Sequence, residues 1–234
     1  IEADETDRKI DEALRTTPPI TIRFTFDDIR LAFKSLKNKN SSGRDGVSNK
    51  ILKLLPPNHL STILVCMNNF SRTLCTPENW HIARIILLSK TKSKTIRIED
   101  TRPISLLSCF SKIFEKCFMI YFRQWIHDQG ILPDEQSGFR PGHNMAVRLV
   151  AIVDQIGQSL SKNTATAALF VDFRTAFNQT WYKGLWLKLY KLHCPLHFLA
   201  WLRHYLTGKK AYIDINNASS EPFNLERGVP QGAA

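Results

Sequence analysis

The chain has 234 residues, 43% of them hydrophobic, and Lys and Arg outnumber Asp and Glu by 32 to 21. That length and apolar fraction fit one large or two small globular domains and exclude a disordered chain. No run of 18 apolar residues occurs, so nothing reads as a membrane span, and the N-terminus lacks the basic start and apolar stretch of a secretory signal.

Residues 1–20 hold six acids (Glu2, Asp4, Glu5, Asp7, Asp11, Glu12) against three bases (Arg8, Lys9, Arg15), which leaves about +14 on the remainder. Such a balance suits a polyanionic partner such as nucleic acid, although a basic protein without one has the same charge. The five cysteines are odd in number and form no CxxC pair, which points to reduced, mostly buried thiols in an intracellular protein. His193 and His197 are four apart, but Pro195 breaks the helical register between them, and zinc is not expected.

In chain order, the acidic start runs to Thr17-Pro18-Pro19 and reads as a frayed leader or linker over residues 1–21. Thr25, with Asp28 three residues on, forms a short capping box ahead of the apolar stripe Ile29, Ala32, Phe33 and Leu36. A turn-rich loop through Gly43-Arg44-Asp45-Gly46 precedes Ser48, which can cap a short helix stopped by Pro56-Pro57. Residues 59–75 read as a helix and 83–88 (ARIILL) as a strand. A basic loop with Lys90, Lys92, Lys94 and Arg97 leads to Arg102-Pro103-Ile104-Ser105-Leu106-Leu107. A helix is expected over 109–128, ended by Gly130, and another over 145–161. Residues 169–173 (LFVDF) read as a buried strand. Two helices across 181–206 are divided by Pro195, and 210–216 can pair with 223–228 as a hairpin. The alternation of helices and strands gives an α/β or α+β class.

Three places could carry chemistry. Asp172 ends an apolar run, where a carboxylate is a hard oxygen donor suited to Mg²⁺; equally, it could cap the following helix. The cations from Lys90 to Arg102 could cradle a polyphosphate or form an ordinary solvated loop. Gly228-Val229-Pro230-Gln231-Gly232 offers close backbone approach to a ligand and an amide that can read a base or sugar edge, or is only a turn.

The order of these pieces resembles the reverse transcriptase domain of non-LTR (LINE-type, jockey-like) retrotransposons over about residues 22–232. The resemblance includes GRDG at 43–46, Trp80 through Lys90, RPISLLS at 102–108, KIFEK at 112–116, LPDEQSGFRPGH at 132–143, FVDFRTAFN at 170–178, Gly184-Leu185, Tyr205-Leu206 and GVPQG at 228–232. It implies an α+β right-hand polymerase fold, with fingers at 22–108 and 208–232 and a partial palm at 109–207. It further implies that Asp172 is the first catalytic carboxylate, that the Phe173 carbonyl is a further Mg²⁺ ligand, and that Phe177 is the steric gate against a ribose 2′-OH. Arg102 and Lys90 match contacts to the incoming triphosphate, and Gln231 and Gly232 lie near nucleotide and template. RNA template, DNA primer, dNTPs and two Mg²⁺ ions are the implied partners, in the nucleus or the cytoplasm.

The sequence departs from the family in having Asn178 where Asp is usual, and Ser41-Ser42 in the early loop. The thumb and the aromatic-x-Asp-Asp hairpin are expected to lie outside these residues, because the motif at Gln231 is the last one reached. Asp27-Asp28, at a helix start, is not that box. The strand carrying Asp172 is then expected to lack its partner, and the chain alone to be inactive. Competing readings are a nucleic-acid-binding remnant without catalysis, a decayed element, and a group II intron maturase-like domain.

Overall fold

In the computed structural model the described residues are 2–17, 21–91, 97–215 and 218–231. Pro18, Pro19, Lys92, Lys94 and Gly232, all singled out in the sequence, lie outside them. The chain divides into two compact units, residues 1–122 with 175–234, and residues 123–174. Among the described residues no helix is long and apolar enough to cross a membrane.

The first unit opens with a correction. Instead of a frayed leader, residues Glu2–Thr16 form helix α1. Its acids stand in the first turn, where they favour the helix dipole, and Ile10 is fully buried. An acidic amphipathic helix is scarcely distinguishable by composition from a solvated tail; the difference lies in the apolar positions Ala3 and Ile10, which are buried.

Helix α2 (Phe26–Ser35) starts at the expected capping box: the Thr25 hydroxyl accepts from the Asp28 amide, and the Asp28 carboxylate accepts from the Thr25 amide at 2.8 Å. Asp28 also accepts from the Tyr121 hydroxyl at 2.7 Å, so it has a structural task. Ser48 caps α3 (Asn49–Lys53) as its position predicts, and α4 (His59–Thr73) follows. Strands β1 (Ile82–Ser89) and β2 (Thr101–Leu106) form an antiparallel ribbon, and β2 runs almost directly into α5 (Cys109–Asp128).

Helix α5 contributes its residues up to Phe122 to this unit, and there it is the spine of an aromatic core. Phe118 stacks on Trp201 at 4.0 Å between ring centroids, and Phe114 stacks on the same indole at 5.3 Å. Phe24 and Trp80 pack edge-on to Phe114 from other parts of the unit. Trp201 belongs to α8 (Leu196–Leu206), which follows α7 (Tyr182–Lys191) with Pro195 at the break.

Strand β3 (Lys210–Ile215) pairs parallel to β1, with Ala83 opposite Ala211. The expected hairpin is realised in part. The outer edge of β3 pairs antiparallel with β4 (Ala218–Ser219) and β5 (Phe223–Asn224), which completes a sheet of order β2-β1-β3-β4. Arg84 of β1 ties this parallel pair to Asp214 of β3 at 2.6 Å.

The second unit contains the loop 131–144 and α6 (Met145–Ser161), capped by Asn144. Arg140 braces the loop by donating to the Pro133 carbonyl at 2.8 Å. None of the α6 residues is buried. Here the sequence expectation fails a second time: residues 169–173 form no strand, and Leu169, Phe170, Val171 and Phe173 are exposed. A strand requires a neighbouring ladder for its amides and carbonyls, and among the described residues none pairs with this segment.

Of the five thiols, which are all free, Cys109, Cys117 and Cys194 are buried while Cys66 and Cys75 are exposed. A half-buried pair of histidines is the titratable feature of this unit. Thr76 Oγ1 bridges His81 Nε2 and His204 Nε2 at 2.8 Å each. Burial lowers the His81 pKa from 6.5 to about 4, with the nearby Lys209 and His204 adding to the effect. A neutral imidazole in the fold means that only the unfolded chain takes up a proton as pH falls below 6.5. The contribution of His81 to stability is therefore full above pH 6.5 and is lost progressively down to about pH 4. We expect thermal unfolding at pH 5 to show a loss on the order of 1–2 kcal/mol relative to pH 7.5, allowing for the ring's partial contact with solvent. His81→Gln should flatten that dependence.

Candidate active site

Residues 228–231 are fixed in the first unit by backbone hydrogen bonds. The Gly228 amide donates to the Thr180 carbonyl at 2.9 Å, the Val229 amide to the Phe177 carbonyl at 2.7 Å, and the Ser105 amide to the Gln231 carbonyl at 2.8 Å. Three stretches distant in sequence thus meet: the 3-10 turn Ala176–Gln179, the end of β2, and residues 228–231. Gly228 has φ +87°, and a Cβ there would sit 2.9 Å from the Asn178 carbonyl oxygen and 3.0 Å from that of Phe177. Both conformation and space require glycine.

The Tyr182 hydroxyl, at the start of α7, donates to the Gly228 carbonyl at 2.6 Å. Tyr182 was not legible as a site residue, since its partner lies 46 positions away and no spacing signals it. Ser105 was visible only as part of RPISLLS. Its role rests on its amide, which every residue except proline carries.

An open cavity of about 420 Å³ lies against this junction, lined on one side by Ile85, Pro103 and Ser105 and on the other by Asn178 and the 224–230 segment. Arg102 is exposed and is not among the lining residues; on β2 it is out of phase with Pro103 and Ser105. It pairs across the ribbon with Leu88, and the Lys90 amide prolongs the ribbon by donating to the Asp100 carbonyl at 2.7 Å. Lys90 and Arg102 therefore stand at the same end of the β1–β2 ribbon. Arg102 is three residues from Ser105, about 10 Å along an extended chain. Phe177 is 38% exposed, enough for a ring face to meet a ligand.

Of the predicted residues, Phe177, Gln231, Arg102 and Lys90 thus belong to one unit and one local frame. Asp172 and Phe173 belong to the second unit, in the exposed stretch described above. The Asp172 carboxylate is open to solvent, and among the described residues no three His, Cys, Asp or Glu side chains gather in a metal-binding group. One exposed carboxylate and a neighbouring carbonyl are hard donors that fit part of a Mg²⁺ ligand set.

The comparisons with known proteins agree with these motifs. Residues 89–234 match the family model described as reverse transcriptase (RNA-dependent DNA polymerase). The chain is 31% identical over 234 residues to a probable RNA-directed DNA polymerase from transposon X-element of Drosophila melanogaster, covering 99% of this chain and 25% of the relative. It is 33% identical over 207 residues to the corresponding protein of transposon BS from the same fly, covering 88% and 23%. With the RNA-directed DNA polymerase from mobile element jockey of Drosophila funebris it shares 26% over 209 residues, covering 89% and 23%. The chain belongs to the reverse transcriptase family, and it spans about a quarter of the length of these relatives.

Gly228→Ala should cost about 2–3 kcal/mol of stability, because the strained φ and the backbone clash act together. Urea unfolding measures it. A loss no larger than that of a surface Gly→Ala change would show that the junction is not locked as described.

Proposed function

We propose that this chain is the nucleotide-engaging part of a retrotransposon reverse transcriptase, an RNA-directed DNA polymerase using an RNA template, a DNA primer and dNTPs. On this reading residues 22–108 and 208–232 are fingers and 109–207 part of the palm, with α1 an addition in front of them. The remaining catalytic carboxylates and the thumb come from outside these residues. The carrying observation is the junction in which Val229 and Gln231 are bonded to Phe177 and Ser105, because it joins three of the family's motifs in one frame.

The residues then divide the work. The Phe177 ring closes the sugar pocket against a 2′-OH, and its backbone is held by Val229. Arg102 and Lys90 neutralise the triphosphate, the guanidinium as a fork and the ammonium as a point charge. Gln231 and Gly232 lie along nucleotide and template. Asp172 and the Phe173 carbonyl would hold Mg²⁺, which when bound stabilises the charge on the attacking and leaving oxygens of in-line phosphoryl transfer. The exposed α6 and the unpaired segment 169–173 support the view that more of the palm packs onto the second unit.

Two experiments test this. In a polypeptide extended to the length of the relatives, Asp172→Ala should reduce dNTP incorporation by about a thousandfold or more. In the same assay Phe177→Ala should relax discrimination against rNTPs by at least about tenfold. Unchanged incorporation with Asp172→Ala would overturn the assignment. Residues 1–234 alone should bind RNA with an affinity that falls steeply with salt, yet not extend a primer. Binding by the extended polypeptide with no extension would favour the nucleic-acid-binding remnant instead.

A further inference from the structure

Helix α1 lies with its acids on a basic face. Asp4 pairs with Lys183 of α7, and Glu2 pairs with Lys191 of the same helix at 2.6 Å. Asp7 and Asp11 share the guanidinium of Arg203 on α8 at 3.0 and 2.8 Å. The buried seam beneath is narrow: Ala3 and Ile10, with Thr6 between them. The outer pairs are about half exposed, where ion pairs hold weakly and are screened by salt.

The cations are spaced for an extended anion. Lys183 and Lys191 are two turns apart on α7, about 12 Å along its axis, and Arg203 offers the planar fork that suits phosphate oxygens. Lys183 directly follows Tyr182, whose hydroxyl holds the Gly228 carbonyl, so the helix that carries two of these cations also contacts the segment 228–231. The most acidic stretch of a basic chain thus pairs with cations, two of which lie on a helix that contacts the candidate site.

We propose that Lys183, Lys191 and Arg203 form a binding face for the phosphate backbone of single-stranded RNA, and that α1 covers it in cis, its carboxylates standing where phosphate oxygens bind. The inference rests on the reverse transcriptase reading, in which an RNA strand is engaged at the adjoining junction. RNA and α1 then compete, and binding along α7 requires α1 to be displaced.

The test measures binding of a fluorescent single-stranded RNA to the full chain across a salt series. The triple variant Glu2→Gln, Asp4→Asn, Asp7→Asn keeps the helix and removes three carboxylates. It should bind about tenfold more tightly at moderate salt, with a log–log salt slope steeper by about 1.4, the value for two additional phosphate contacts on a single strand, because Asp11 still holds Arg203. Adding Lys183→Ala and Lys191→Ala should cancel the gain, whereas Lys34→Ala and Lys53→Ala, the same change of net charge elsewhere, should leave most of it. A gain that survives the loss of Lys183 and Lys191, or that is lost equally with either lysine pair and so reflects net charge alone, overturns the proposal. Thermal melts verify folding, and Asp4→Asn alone, at a half-exposed position, should still give a gain of about two- to threefold if the triple variant is unstable. If the intact chain binds RNA with a steep salt slope but neutralisation changes neither affinity nor slope, only the α1 cover is overturned. If no form binds RNA at low salt, the reverse transcriptase reading fails with it.

Discussion

The stacking of Phe114 and Phe118 on Trp201 is the contact on which the first unit depends. Large aromatic faces bury much apolar area at low entropic cost, and offset stacking adds to it. Because one indole serves two turns of α5, it fixes both the position and the rotation of that helix against α8. The sheet is attached to the same point. Leu107, fully buried between the end of β2 and the start of α5, packs with Ala83 of β1 and Ala211 of β3. A shift of α5 would pull Leu107, then Ser105, then the Gln231 carbonyl that the Ser105 amide holds. The candidate site thus takes its geometry from an aromatic core rather than from its own side chains.

The sequence was most informative where one residue type satisfies a local backbone demand. Thr25 with Asp28, and Ser48, act over a few residues, and the structure has both caps in their expected places. It misled where the outcome depends on a distant surface. Whether α1 frays or packs is decided by α7 and α8, more than 160 positions away, as the Asp4–Lys183 pair shows at a separation of 179. Residues 169–173 have the β-branched and aromatic composition of a strand, but composition cannot provide a neighbour to pair with. Tyr182 fell into the same class, as a hydroxyl whose meaning exists only once Gly228 is beside it.

The departure at Asn178 has a simple structural aspect. Gly228 packs against the backbone of that residue, its oxygen and Cα, rather than against its side chain. Asp and Asn present the same backbone, so the junction is indifferent to the exchange. The same logic applies at Ser105 and Phe177, whose bonds to the segment are main-chain bonds. A frame built from amides and carbonyls tolerates drift in its side chains.

The parallel pairing of β1 with β3 bears on how the unit comes to be folded. Arg84 and Asp214, which join these strands, are 130 positions apart, and the entire second unit lies between them in the chain. Contacts of such separation form late and slow folding, because loop closure comes before any of its stabilisation. During synthesis at about 5–20 residues per second, β1 emerges several seconds or more before β3. For that interval the ribbon of β1 and β2 presents an unpaired edge, and Arg84 waits without its carboxylate. The nascent chain is thus most exposed to misassociation just before the residues that close its sheet are made.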